Sequence, residues 1–192
     1  ISEMVEHQKY FPVANRDGSL RNLFVITADT QPTDAIRHGN QKVLSARLSD
    51  GAFLYNQDLK SSLEALNDKL KHITFQKDLG TIYEKVERLI KHARVLHELL
   101  PIGELKTLER AALLCKADLA SHMVGEFPEL QGVIGRYYAL ASGESPEVAV
   151  AIEEHWMPRG DGAPLPSSTC GTLLSLAEKI DNLLGCFAVG LK

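Results

Sequence analysis

Two groups of cations recur at helical spacing in this sequence. Arg37, Lys42 and Arg47 flank Gly39-Asn40, with Phe53 and Tyr55 nearby in the chain; Lys85, Arg88, Lys91, His92 and Arg94 crowd the polar flank of a second segment that carries Tyr83. RNA is commonly held by cations on its phosphates together with aromatic rings on its unpaired bases. A solvated charged helix face is the ordinary reading of such runs, and spacing alone favours it. Arg47 also lies within reach of Asp50 or Asp58 as an internal brace. Catalytic chemistry has less support. His7, His38, His72, His92, His97 and His155 form no HExxH pair, and none accompanies a Ser or Cys in a nucleophile motif. Neither GxxxxGK[ST] nor GxGxxG occurs, and Gly160-Asp161-Gly162 reads as a turn, so no ATP-cradling loop is legible.

The elements that must position these residues follow from patterning. The 192 residues, 44% hydrophobic, suffice for one or two cores. The net charge of -4 gives no global attraction for nucleic acid, so any RNA contact must use a local patch, and DNA is not expected as a partner. Cys115, Cys170 and Cys186 make neither a CxxC nor an even disulfide framework, which fits a reducing cytoplasm. The first residues lack a basic stretch followed by an apolar run, so no secretion signal is expected. Leu23 to Ile26, the longest apolar run, is far too short to cross a membrane.

Tyr10–Val13 and Leu20–Thr27 read as β-prone segments around a turn at Asn15-Arg16-Asp17-Gly18. The unalternating Leu23–Ile26 predicts a strand covered on both faces. After Pro32 the pattern turns helical, with Val43, Leu44, Arg47, Leu48 and Tyr55 broadly on one side. From Leu59 the stripes predict helices throughout. Thr81 and Glu84 form a capping box for a helix with Ile82, Val86, Leu89, Ala93, Leu96 and Leu100 inward. Leu108, Ala112, Cys115, Leu119 and Met123 predict one helix, followed by a Gly125/Pro128 corner. A second helix then has Leu130, Ile134, Tyr137 and Ala141 inward, closes at Gly143, and through Gly132 and Gly135 leaves room for a neighbouring backbone. Val148, Ile152 and Trp156 face inward on the next, and Pro158–Ser168 is a loop exposed to nicking. The last helix places Leu173, Ala177, Ile180, Leu184 and Phe187 on one face. The expected architecture is mainly α: residues 1–57 a small, incomplete α+β piece with a β-hairpin, residues 58–192 a helical bundle.

Three blocks carry a family resemblance. KADLASHMVGEFPELQGVIGRYYALASGE (Lys116–Glu144), GNQKVLSARLSDGAFLYNQDL (Gly39–Leu59) and AEKIDNLLGCFAVG (Ala177–Gly190) resemble the beta subunit of the bacterial two-subunit glycyl-tRNA synthetase. The departures are Gln41 for Glu, Gly51 for Ala, Leu54 for Phe and Glu178 for Asp. The resemblance implies an internal piece of a longer beta chain that pairs with an alpha subunit to join glycine to tRNA(Gly), the holoenzyme using ATP and magnesium. It implies that alpha carries the adenylate-forming site, so no residue here is catalytic and no cofactor is bound by this piece. It also strengthens the RNA reading of Arg37, Lys42, Arg47, Lys85 and Arg88.

More distantly, the helical part resembles the HD fold of metal-dependent phosphohydrolases. Laid on this chain, that fold's central His-Asp pair falls at Cys115–Asp118, where only Asp118 has a ligand side chain, and its later Asp falls on Glu178. Glu178 and Asp181 share a helix face that can meet Asp118 across a bundle, and His122, four residues after Asp118, points the same way. A hard cation accepts carboxylates alone, but histidines suited to zinc, iron or manganese are not obviously placed, and Lys116 offers an ion pair instead. The favoured expectation is a vestigial polar cluster without metal. The alternatives are an active HD-type phosphohydrolase and a purely structural module bridging subunits.

Overall fold

The computed structural model describes residues 1–190. The chain divides into a unit of residues 1–57 and a unit beginning at Asp58.

In the first unit, Asn15 to Ser19 can form only a turn. Gly18 takes the left-handed region (φ +84), and the Asp17 carboxylate accepts from the Ser19 N–H and hydroxyl. The turn joins β1 (Phe11–Ala14) and β2 (Leu20–Val25) in an antiparallel hairpin, Phe11 opposite Val25 and Ala14 opposite Leu20. Tyr10 stacks on Phe24 and donates its hydroxyl to Asn40 Oδ1 at 2.6 Å, tying the ribbon to α1 (Asp34–Asp58). That helix runs unbroken through Gly39 and Gly51. Of its apolar stripe only Leu44 is buried; Val43 and Leu48 are about half exposed. Leu23 and Val25 are exposed too, contrary to the reading of a strand covered on both faces. Among the described residues the ribbon has two strands, and a two-stranded ribbon alone is marginal.

The second unit is a helical bundle in which a serine or threonine caps the helices beginning at Leu63, Ile82, His122, Pro146 and Thr169. Ser62 accepts from Ala65 N–H to start α2 (Leu63–Lys69). A short antiparallel ladder, β3 (Thr74–Gln76) with β4 (Gly80–Thr81), interrupts what reads in sequence as wholly helical. It leads into α3 (Ile82–Leu99), where Thr81 and Glu84 make the anticipated reciprocal capping box. Next come α4 (Leu105–Leu114), α5 (His122–Glu126), α6 (Val133–Ala141), α7 (Pro146–Glu154) and α8 (Thr169–Ala188). α3 packs on α4 and α8, and α7 on α4, α6 and α8. Leu89, Leu108, Leu114, Ile152, Leu173 and Leu174 fill the centre and are essentially without solvent contact.

Three departures from the sequence reading bear on the site. The helix expected through Met123 ends at Leu114; the chain makes a 3-10 turn over Ala117–Ala120 and restarts as α5, because Ser121 caps Val124 N–H and the Asp118 side chain is drawn into the core. Gly132 and Gly135 make room chiefly for side chains, with a neighbouring backbone, the Glu153 carbonyl, close at Gly132 alone. A Cβ at Gly132 (φ +81) would lie 2.3 Å from the Trp156 ring, and one at Gly135 would lie 2.8 Å from Ile152 and 3.0 Å from the Asp118 carboxylate. Finally, α8 turns Leu184 and Phe187 outward and Glu178 and Asp181 inward; past Asp181, it is Gly185 that approaches the bundle, against Leu79. On α6 Tyr137 is likewise exposed, and Tyr138 is the buried ring.

Candidate functional site

The interior of the second unit contains an ion cluster. Lys85 on α3 and Lys116 after α4 have side chains only 2% exposed. The Lys85 ammonium lies 2.6 Å from Asn182 Oδ1, 2.9 Å from Asp181 Oδ2 and 3.4 Å from Glu178 Oε1, with the Phe75 ring 4.4 Å away. The Lys116 ammonium lies 3.1 Å from that same Glu178 oxygen and 3.7 Å over the Trp156 ring. One carboxylate oxygen therefore bridges two ammonium groups. Arg88 donates to Asp181 Oδ1 at 2.7 Å and to Leu79 O, and His92 Nε2 stands 3.5 Å from Asp181 Oδ1. Burial alone would raise the Asp181 carboxyl, but hydrogen bonds from Arg88 and Lys85 outweigh it and hold it below the usual carboxylate range. Low dielectric makes each partner depend on the others: the set is tolerable complete and costly when broken.

Asp118 is fully buried. Its Oδ2 accepts from the Gly132 and Gly135 N–H groups at 2.6 and 3.2 Å, while Oδ1 has no partner. Desolvation pushes its carboxyl up to about 6 against those two hydrogen bonds and the Lys116 charge. A carboxyl raised on folding contributes most below its unfolded value of about 3.9, and that contribution is lost as pH rises through 6. Asp118→Asn is therefore expected to gain on the parent by about 2 kcal/mol between pH 4 and pH 7.5, read from urea melts of both proteins across that range. His155, also fully buried, uses Nδ1 toward Ile152 O at 2.5 Å and leaves Nε2 unpartnered; burial and the Lys116 charge keep it neutral.

Asp58, at the last turn of α1, organises a second buried point. It accepts from the N–H groups of His122 and Met123 at 2.9 and 3.0 Å, from His122 Nδ1 at 2.7 Å and from the Tyr138 hydroxyl at 2.7 Å. Burial works against its ionised form, but these hydrogen bonds outweigh it and lower the carboxyl.

The structure redistributes the residues singled out from sequence. Lys85 is sealed inside the ion cluster and is withdrawn as a phosphate contact; Arg88, about one-third exposed, is turned onto Asp181. Arg37 is exposed and paired with Asp34 at 2.6 Å, and Lys42 and Arg47 are exposed without an ion pair among the described residues. The Asp58 brace proposed for Arg47 does not form, because Asp58 is fully engaged elsewhere. His122 turns to Asp58 rather than joining Asp118. Glu178 and Asp181 do share an inward face, but it is Lys85 and Lys116 that they meet. Among the described residues no group of three or more His, Cys, Asp or Glu side chains is placed to hold a metal ion. The donor set thus does not fit the metal centre implied by the HD resemblance. Sequence reasoning gave Asp58, Asn182 and His155 no part in a buried cluster, although Asp58 and Asn182 lie in blocks that carry the family resemblance; only the fold gives each its neighbours.

Residues 1–192 match the sequence model of the family described as glycyl-tRNA synthetase beta subunit, and the chain belongs to that family. It is 52% identical to the glycine–tRNA ligase beta subunit of Syntrophomonas wolfei and 47% to that of a Geobacter species, each over the whole chain and 28% of the relative. It is also 45% identical to a glycine–tRNA ligase of Chlamydia trachomatis, over the whole chain and 19% of that protein. The chain thus spans well under a third of the relatives it matches. No helix of the described residues is long and apolar enough to cross a membrane.

Proposed function

We propose that this chain supports the attachment of glycine to tRNA(Gly) as part of a cytoplasmic holoenzyme, with adenylation, ATP and magnesium handled by a separate alpha subunit. Its contribution is to position tRNA and to assemble with alpha. The observation behind the tRNA role is the contrast between the two cation groups: on α3 Lys85 and Arg88 are drawn onto Asp181 and Arg94 onto Glu109, leaving Lys91 exposed, whereas Lys42 and Arg47 of α1 both stand exposed without an ion pair among the described residues. Arg37, held by Asp34 on the same helix, extends that face. Free, unpaired cysteines, two of them buried, accord with a reducing compartment.

If Arg47 touches phosphate, Arg47→Ala in the full-length beta chain lowers the log–log salt dependence of tRNA binding by roughly 0.7 to 0.9, with little change in discrimination between tRNAs. An unchanged slope with a lowered melting temperature would give Arg47 a structural role instead. Subunit bridging has its own support. Leu183, Leu184 and Phe187 near the end of α8 are more than half exposed, apolar side chains of the kind that partners cover, as are Val95 and Leu99 at the end of α3.

A further inference from the structure

We propose that the cleft between β2 and α1 seats a third strand, an extended segment of the longer beta chain that pairs with the free edge of β2 and lies along α1. The cleft measures about 1210 Å³. A small-molecule pocket is usually roughly 300–1,000 Å³, so the space suits a length of chain better. One wall takes in every residue from Leu20 to Val25 in turn. Side chains of a strand alternate between faces, so a wall of consecutive residues is a strand presented edge-on. β1 occupies one edge of β2 only. Pro12, which has no N–H to give, stands opposite Phe24, so that pair is not hydrogen-bonded and Phe24 turns its own N–H and C=O away from β1. Neither group has a backbone partner among the described residues. Such an edge is a template on which extended peptides add through main-chain hydrogen bonds.

The opposite wall is a stripe of α1. Ile36, Asn40, Leu44, Leu48 and Ala52 recur every four residues, beside the small and exposed Ser45 and Ser49. Alternate side chains of an added strand would lie against Leu44 and Leu48. The walls include Arg21 and Arg37 and no carboxylate, which suits a neutral or acidic strand and disfavours a basic one. Two observations assign the strand to the beta chain itself. A two-stranded ribbon is marginal, and a third strand is what gives such a sheet independent stability. The 192 residues also cover 28% of the beta subunits they match, so most of such a chain lies outside them, and a tethered segment acts at high effective concentration.

Lys42 and Arg47 lie outside the cleft walls, so this inference and the tRNA role can fail separately. The test is hydrogen exchange and thermal melting of full-length beta without alpha or tRNA. The Phe24 amide, read from overlapping peptides, is expected to exchange at least about a hundredfold more slowly than an unpaired amide. Ser45→Trp then places a bulky ring in the cleft, with Ser45→Ala as its control. Ser45 is exposed, so a cleft that stays open accepts the ring without loss. With a strand seated there, Ser45→Trp is expected to melt several degrees below the parent and to return the Phe24 amide to fast exchange, while Ser45→Ala changes neither. If Ser45→Trp does not fold, exchange in the parent decides. Fast exchange at Phe24 in parental full-length beta overturns the inference, as does a Ser45→Trp chain that melts with the parent. Protection that appears only when tRNA or alpha is added overturns it too, and gives the cleft to that partner.

Discussion

Asp181→Ala is expected to lower the stability of the second unit by about 3–5 kcal/mol, the range for removing one partner of a buried ion pair. The substitution strips Lys85 of its 2.9 Å carboxylate and Arg88 of its closest acceptor while leaving the buried lysine charged. Asp181→Asn keeps an oxygen at the site and should fall between the two. The pH dependence has a fixed sign. The folded Asp181 carboxyl is held below its unfolded value, so its contribution is present above about pH 4 and disappears as pH falls through the lowered folded value. Urea melts at pH 7 and in the acid range check both statements: the gap between parent and Asp181→Ala is wide at pH 7 and narrows in acid.

The second large effect concerns Asp58. Its two oxygens serve two α5 N–H groups, an imidazole and a phenol, so Asp58→Ala takes away the carboxylate acceptor of the buried Met123 N–H and of the Tyr138 hydroxyl. About 2–4 kcal/mol is expected, taking 1–3 kcal/mol for each unsatisfied buried group with partial relaxation. Tyr138→Phe removes one donor together with its need and should cost about 1 kcal/mol. If hydrogen exchange shows α5 no less protected in Asp58→Ala than in the parent, Asp58 is not the anchor described.

How much of this was readable from residue order depends on the range over which each feature is decided. The capping box at Thr81 and Glu84 and the turn at Asp17-Gly18 are local, and both formed as their residues dictate. The stripe of Ile82, Val86, Leu89 and Ala93 was legible because one helix face decides burial. Lys85 was misread for the same reason in reverse. It sits among charged neighbours on a helix, and nothing within its own turn says that Asp181, ninety-six residues later, will draw it into the core. The helix predicted through Met123 failed because apolar spacing does not register Asp118 bonding to Gly132 and Gly135. Leu184 and Phe187 kept their helical spacing but lie where no described element covers them. In the first unit, Leu23 and Val25 carry the pattern of a covered strand without the covering among the described residues.

The central claim is that this chain serves tRNA glycylation without performing the activation of glycine. It is tested most directly by reconstituting the alpha subunit with full-length beta, or with beta lacking residues 1–192, and measuring glycine-dependent ATP–pyrophosphate exchange alongside glycylation of tRNA. The account predicts that exchange survives the deletion while glycylation is lost. Glycylation at the parental rate without the segment, or loss of exchange with alpha still folded, would contradict it.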